Sequence, residues 1–348
     1  MSSNVYFKAT GPHAENGEIS AFARHLLEVV IEKENVPLER DIPLKVHFGE
    51  RGNDTYIKPL CYDGIMDFLA ERGISSSFME TSVLYGGPRA KRESHIELAH
   101  AHGFTRLPVV IADGEAGESF AEIKIDKKHF RSCKIGAEFA KYKQLIVLSH
   151  FKGHRIAGFG GAVKQLSMGC AAKGGKLAMH MGIKPYILNF LCKKCGLCKT
   201  GCGQNAITIG PKSFIDRDKC VGCGACFALC PHHAVTIFSF DSICRALLRR
   251  GDFLERLAEH AYAAQLGKRN IYVTFAMNIT KNCDCIGHKM TPAIDDLGVF
   301  ASTDPVAIDQ ACCDMAKEKG YAVKGLRQLE YGEEIGLGSM QYKLVITD

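Results

Sequence analysis

Long apolar runs are missing from this 348-residue sequence. The longest, such as Gln144–Ser149, are strand-sized, so no stretch reads as a membrane span. The first residues, Met1–Lys8, lack the apolar core of a signal peptide, which points to the cytoplasm. A basic stripe is missing as well. The 44 Lys and Arg and the 38 Asp and Glu are dispersed, and the densest basic spot, Arg89-Ala90-Lys91-Arg92, runs straight into Glu93. Nucleic acid and membrane are therefore not expected partners. What remains, 46% hydrophobic and 24% charged, is an ordinary globular chain of one or two domains. The residue in excess is cysteine. Sixteen of them, in a chain read as cytoplasmic, argue for metal or redox chemistry rather than disulfides.

Eight cysteines fall in two runs of identical spacing. The first is Cys192, Cys195, Cys198 and Cys202; the second is Cys220, Cys223, Cys226 and Cys230, followed by Pro231. Gaps of two, two and three residues are the bacterial two-cluster ferredoxin spacing. Three closely spaced thiolates wrap three corners of a 4Fe–4S cube, and the fourth cysteine points away to close the other cube. One cluster is thus expected on Cys192, Cys195, Cys198 and Cys230, the other on Cys220, Cys223, Cys226 and Cys202. A repeat supports the pairing: Ala206-Ile207-Thr208-Ile209 recurs as Ala234-Val235-Thr236-Ile237, at the offset that carries Cys192 onto Cys220. Gly203 stands where such a motif usually carries proline, a change confined to turn shape. Zinc sites favour two separated cysteine pairs and do not fit these triplets. Two loaded cubes of about −2 each would bring the formal charge of +6 near +2, so net charge says little about partners.

Outside residues 183–240 strand and helix signals alternate. Strands are expected at Leu44–Phe48, Phe78–Thr81, Val109–Ala112, Leu145–Leu148 and Ile271–Met277. Helices are expected around Ile19–Glu34, Tyr62–Arg72, Ser94–His102, Ser242–Gln265 and Pro305–Lys319, the last capped by Asp304. The fold class is therefore α/β: a largely parallel sheet in a host domain (residues 1–182 and 241–348) interrupted by a ferredoxin-like insert (183–240). Polar residues follow all five strands: Gly49–Asn53, Thr81-Ser82, Asp113-Gly114, Ser149-His150 and Asn278. Ligands in parallel α/β sheets bind at those strand ends.

The most unusual stretch runs from His150 to His180. Glycines here let backbone approach a ligand, and Gly158, Gly160 and Gly161 are candidates for cofactor binding. They precede Ala162-Val163-Lys164, which could open a helix whose amino end binds a carboxylate or phosphate. Lys164, His154 and His180 are the candidate catalytic residues, Lys164 either as a free ammonium for a carboxylate or as a covalent anchor for a cofactor. Cys283 and Cys285 are close enough to chelate one further metal or act in redox chemistry, or they are plain buried thiols. Cys61, Cys133, Cys244, Cys312 and Cys313 read as small buried hydrophobes.

Over essentially its whole length the chain resembles the iron–sulfur proteins grouped as domain of unknown function 362. The resemblance is carried by His150–His154, Gly158–Lys164, the cysteine runs, Asn282-Cys283-Asp284-Cys285 and Ser302–Asp309. It implies iron–sulfur clusters and brings no established reaction. A second, local resemblance is to lactate racemases. His154, Ala157, Gly158, Phe159, Gly161, Lys164, Gly169 and His180 fall at the offsets of their nickel-pincer segment. It implies that Lys164 anchors a pincer nucleotide, His180 binds nickel and His154 is the acid–base, with His95 the candidate for a second histidine. Racemases lack the ferredoxin insert.

Three functions are thereby expected. The first is an oxidoreductase passing electrons between two 4Fe–4S clusters, a partner protein that donates or accepts electrons, and a small anionic substrate. The second is an electron carrier or maturation factor without its own catalysis. The third is a nickel-pincer racemase or isomerase.

Overall fold

The computed structural model describes residues 2–11, 14–180, 185–202, 204–220, 225–236 and 252–347. Its centre is an eight-stranded sheet in the order Tyr342–Ile346, Ser3–Ala9, Gly298–Ser302, Ile271–Ala276, Ile146–His150, Leu44–Lys45, Phe78–Glu80, Val109–Ile111. Gly298–Ser302 runs antiparallel to both of its neighbours; every other pairing is parallel. The fold is thus α/β with a largely parallel sheet.

Both faces of this sheet are covered, which is why its central strands read as continuous apolar runs rather than alternating ones. Ile146, Leu148, Val273 and Phe275 pack on one face with Ile19, Leu26, Leu27 and Val30 of helix Asn16–Lys33 and Ile65 and Phe68 of helix Asp63–Glu71. Val147, Tyr272 and Phe300 pack on the other, against helices Ala162–Cys170, Phe253–Gln265 and Pro305–Glu318. Asp304 caps the last of these through hydrogen bonds from the Val306 and Ala307 amides, as its place before Pro305 suggests.

All five expected strands lie in the sheet. Three more were not anticipated: Ser3–Ala9, Gly298–Ser302 and Tyr342–Ile346. The expected helix at Ser242–Gln265 is observed as Phe253–Gln265, and its first part, with Cys244, lies outside the described residues. Among the described residues no helix is long and apolar enough to cross a membrane.

The glycine-rich stretch forms a hairpin, Lys152–His154 with Gly158–Gly160, and then helix Ala162–Cys170. The amino end of that helix is filled by the chain itself. Amides of Ala162 and Val163 donate to the buried Asp309 carboxylate at 2.6 and 3.0 Å. Burial pushes the Asp309 carboxyl up to about 7. The external anion expected at this helix end is therefore replaced by Asp309, and Gly161 serves that contact: a Cβ there would lie 2.2 Å from Asp309 Oδ1.

Among the described residues, 186–236 contribute no strand to the large sheet. Their described strands pair among themselves, Tyr186–Ile187 with Val235–Thr236 and Ile207–Thr208 with Phe214–Ile215. Ile187, Ala206, Ile207, Ile215 and Val235 form a core of their own with Cys198 and Cys226.

Gly158 provides a test of the hairpin. Its φ is +82°, and a Cβ would lie 2.1 Å from the Lys324 carbonyl oxygen, so only glycine fits. Gly158→Ala should lower stability by about 2–4 kcal/mol, measured by urea unfolding followed by circular dichroism. An unchanged midpoint would remove the packing role assigned to this glycine.

Candidate functional site

The chain steps outward from Leu44–Lys45 through Phe78–Glu80 to Val109–Ile111, then returns to Ile146–His150 and steps the other way to Ile271–Ala276. Where the direction reverses, the loops after the strands diverge and leave a crevice at their carboxyl ends. A cavity of about 300 Å³ occupies it. Its lining includes His47 and Thr81 after two of these strands and Lys152 just beyond a third, together with His154, Gly160, Lys164, His180, Cys283 and Cys285. The candidate residues Lys164, His154 and His180, more than a helical turn apart in sequence, therefore share one space. Three of the polar strand ends do not line it: in Gly49–Asn53 the Glu50 amide donates to the Asp284 carbonyl at 3.2 Å. Asp113 accepts from the Ser82 amide at 2.9 Å, and the Asn278 amide donates to Asp296 at 2.7 Å.

Buried charge is organised around two carboxylates. Asp284 accepts from Lys152 Nζ at 2.7 Å and faces His150 Nδ1 at 2.8 Å, while His150 Nε2 lies 2.7 Å from the Met277 carbonyl oxygen. Burial alone would raise the Asp284 carboxyl; the His150 and Lys152 charges override it and hold it well below the usual range. Glu80 pairs with Lys45 at 2.9 Å, His47 Nδ1 at 3.0 Å and Arg89 at 3.3 Å. Burial and the Arg89 charge push His47 down, so its imidazole is neutral, and its Nε2 has no partner among the described residues. Lys176 donates to Thr81 Oγ1 and the Ser82 carbonyl, and burial lowers its ammonium to about 8.

Lys164 Nζ sits 3.6 Å from Cys283 Sγ. A ring nitrogen of His154 and the sulfurs of Cys283 and Cys285 lie within 4.8 Å of one another. The hydrogen bond from Cys285 draws the Cys283 thiol well below its ordinary value against burial, and the Lys164 and Lys152 charges add to it; Cys285 is pushed up in turn. Burial, followed by the Lys164 charge, takes His154 to about 3 and His180 to about 4, so both are neutral imidazoles at pH 7. The amides of Ala157 and Ile156 donate to His154 Nδ1 at 2.9 and 3.3 Å, and His180 stacks on Phe253 at 4.9 Å.

The remaining sequence candidates are placed as follows. Gly160 and Gly161 both line the cavity, Gly160 against Lys164 and Gly161 also against Asp309, whereas Gly158 packs on the Lys324 carbonyl outside it. His95 is fully buried outside the cavity; its Nε2 is 3.3 Å from Arg89 Nε and its ring meets Phe48 edge-on. Cys61, Cys133, Cys312 and Cys313 are buried, and burial raises each thiol. Cys192, Cys195, Cys198 and Cys230 line one small pocket beside Ile187 and Val235. Burial, then the proximity of Cys230, Cys192 and Cys195, raises the Cys198 thiol. At repeat-related positions the Ala206 amide donates to Cys202 Sγ and the Ala234 amide to Cys230 Sγ, each at 3.3 Å. Cys202 and Cys220 flank the same small core, Cys226 lies in it, and Cys223 lies outside the described residues. Sequence reasoning missed Lys152, Glu80, Arg89 and Asp284; the Asn282–Cys285 motif was the one signal that could have pointed to the last.

The chain belongs to the family described as domain of unknown function (DUF362), which matches residues 42–314. Among solved structures it is similar to a Thermotoga maritima protein from a structural genomics consortium: TM-score 0.45, 11% identity, 88% of this chain and 60% of that one. It is also similar to the lactate racemase apoprotein from Thermoanaerobacterium thermosaccharolyticum: TM-score 0.42, 12% identity, 91% of this chain and 57% of that one. The chain thus spans less than two thirds of either structure's length. A comparison with curated proteins finds no match.

Asp284→Asn would leave Lys152 buried without its counter-charge and His150 without its carboxylate partner, at an expected cost of about 3–5 kcal/mol at pH 7. Because the folded carboxyl sits below its unfolded value, the stability it contributes is present at neutral pH. It is lost as pH falls below about 4. Urea midpoints measured from pH 7 to pH 3 should therefore fall more steeply for wild type than for the variant, and parallel curves would contradict the assignment.

Proposed function

We propose that the chain is an iron–sulfur oxidoreductase in which two 4Fe–4S clusters, held in residues 183–240, pass electrons to or from a small-anion site in the α/β domain. The observation that carries this reading is the gathering of Cys192, Cys195, Cys198 and Cys230 around one pocket. That is the crossed set expected from the spacing, not four cysteines adjacent in sequence. Four thiol sulfurs are the donor chemistry a cube requires, and amide hydrogen bonds to Cys202 and Cys230 suit sulfurs that become thiolates. When bound, the clusters would supply one-electron transfer to a partner protein.

The other half of the reading rests on the cavity. Lys152, Lys164, Lys176 and Arg89 line it, and among these Lys152 and Arg89 are paired with carboxylates. Lys164, on the helix wall beside Gly160, has a thiol as its neighbour and suits a small carboxylate entering the cavity. A pure carrier needs no such buried arrangement. The nickel-pincer reading draws support from one observation, the shared cavity of Lys164, His154 and His180. Their residue types fit such a group, with Lys164 as attachment point and His180 as nitrogen donor. Stoichiometric nickel in the purified protein would favour it.

Anaerobically purified protein should contain roughly eight iron and eight sulfide per chain, the content of two cubes. Cys230→Ala should remove about half of the iron, from the site of Cys192, Cys195 and Cys198. A colourless, zinc-only protein after reconstitution would end this reading. For the anion site, lactate as a probe carboxylate should raise the wild-type melting temperature and leave Lys164→Ala unmoved at equal iron content. An identical shift in both would remove Lys164 from the site.

A further inference from the structure

Cys283 and Cys285 are the first and third residues of a β-turn closed by a hydrogen bond from the Ile286 amide to the Cys283 carbonyl at 3.0 Å. A turn brings those two positions within the span a disulfide bridges, and the sulfurs already lie within 4.8 Å. The turn is held in place by its central residue. Asp284 is anchored by Lys152 and His150, its carbonyl accepts from the Glu50 amide at 3.2 Å, and Asn53 Nδ2 donates to the Ile286 carbonyl at 3.1 Å. Both sulfur-bearing residues line the cavity, Cys283 buried and Cys285 partly open. The Lys164 ammonium at 3.6 Å gives Cys283 a cation that favours its thiolate, the nucleophilic form. Cys133, by contrast, is surrounded by apolar packing and the Glu259 backbone.

His154 separates a metal site from a redox pair. Its Nδ1 accepts from two backbone amides, which can only donate, so the neutral ring carries its proton on Nε2. Neither nitrogen then offers a bare lone pair to a metal. Two sulfurs alone, with an ammonium beside one of them, are a poor metal site and a well-built thiol pair.

We propose that Cys283 and Cys285 form a reversible dithiol–disulfide couple that exchanges with a small organic disulfide entering the cavity. The Cys283 thiolate attacks one substrate sulfur; the substrate S–S bond breaks, a mixed disulfide forms and the first substrate thiolate leaves. Cys285 passes its proton to that thiolate and attacks the Cys283 sulfur, releasing the second substrate thiolate. The two cysteine sulfurs are oxidised by two electrons and the substrate is reduced by two, so no other oxidant is required. The inference rests on the cavity being a reaction site and is independent of what residues 183–240 carry.

Trypsin cleavage after Lys281 and Lys289 releases both cysteines, and no others, in the peptide 282–289. Anaerobic holoprotein is incubated with oxidised glutathione, alkylated with N-ethylmaleimide under denaturing conditions, digested and weighed, with iron and sulfide measured on the same samples. The expected result is an unalkylated peptide lighter by two hydrogens, restored to the doubly alkylated form by reduction. Cys285→Ser should stop at glutathione on Cys283, and Lys164→Met should slow the wild-type reaction at least about tenfold at pH 7. A doubly alkylated wild-type peptide after oxidant, with iron intact, would overturn the couple while leaving the cluster reading standing. Stoichiometric zinc or nickel that is lost in Cys283→Ser would overturn it in favour of a metal site. Absence of iron with a normal disulfide would reject the clusters alone.

Discussion

A carboxylate taken out of water must find cations, and Asp284 is buried on every side. Its partners come from the end of the parallel strand Ile146–His150 and from the hairpin that follows, so one residue ties the Asn282–Cys285 loop to the sheet. The backbone of the same turn is bonded to the loop after Leu44–Lys45. Three segments distant in sequence therefore meet at a fixed point. Cys283, Cys285, Lys152 and the mouth of the cavity take their positions from it. Removing either partner leaves an uncompensated buried charge, which gives the arrangement its rigidity.

Glu80 repeats the principle at the end of the next strand, holding Lys45, His47 and Arg89. These two carboxylates take up the cations around them, and Asp309 fills the helix amino end that would otherwise draw an anion. Lys164 stands apart from this pattern, directed at a sulfur. The histidines on either side of it are neutral, because burial and its own charge disfavour a second cation. Lys176 is bonded to Thr81 and the Ser82 carbonyl, so the cavity concentrates its chemistry in the Lys164 ammonium and two thiols, beside the neutral imidazoles of His154 and His180.

Much of this was legible in the sequence, for physical reasons. Strands buried on both faces are largely apolar runs, so Leu145–Leu148 and Ile271–Ala276 announce themselves. Tyr342–Ile346 and Ser3–Ala9 mix polar and apolar residues at and next to one edge of the sheet and do not. Motif offsets grouped Lys164, His154 and His180, and the three line one cavity. The offsets did not separate Gly158, packed on the Lys324 carbonyl, from Gly160 and Gly161 at the cavity wall, because a glycine needed for backbone contact and one needed for a ligand look the same in a sequence. His95 illustrates the same limit: a histidine on a helix is consistent with a site, yet this one is packed between Arg89 and Phe48. Lys152 and Asp284 stand inside motif segments and Glu80 at a strand end, yet the sequence assigns none of them a role, because a single charged residue has no periodicity and its meaning lies in the partner that folding supplies.

In the proposed function, clusters held by cysteines of residues 183–240 would exchange electrons with the cavity, and the Cys283–Cys285 pair, whose thiol exchange stands without them, offers an acceptor there. The direct measurement starts from protein whose clusters are oxidised and whose Cys283–Cys285 pair has been oxidised to the disulfide. The clusters are then photoreduced anaerobically and followed by electron paramagnetic resonance. The account predicts that the reduced-cluster signal decays at a rate independent of protein concentration while the disulfide opens to two thiols. A reduced-cluster signal that persists beside an intact disulfide would contradict it.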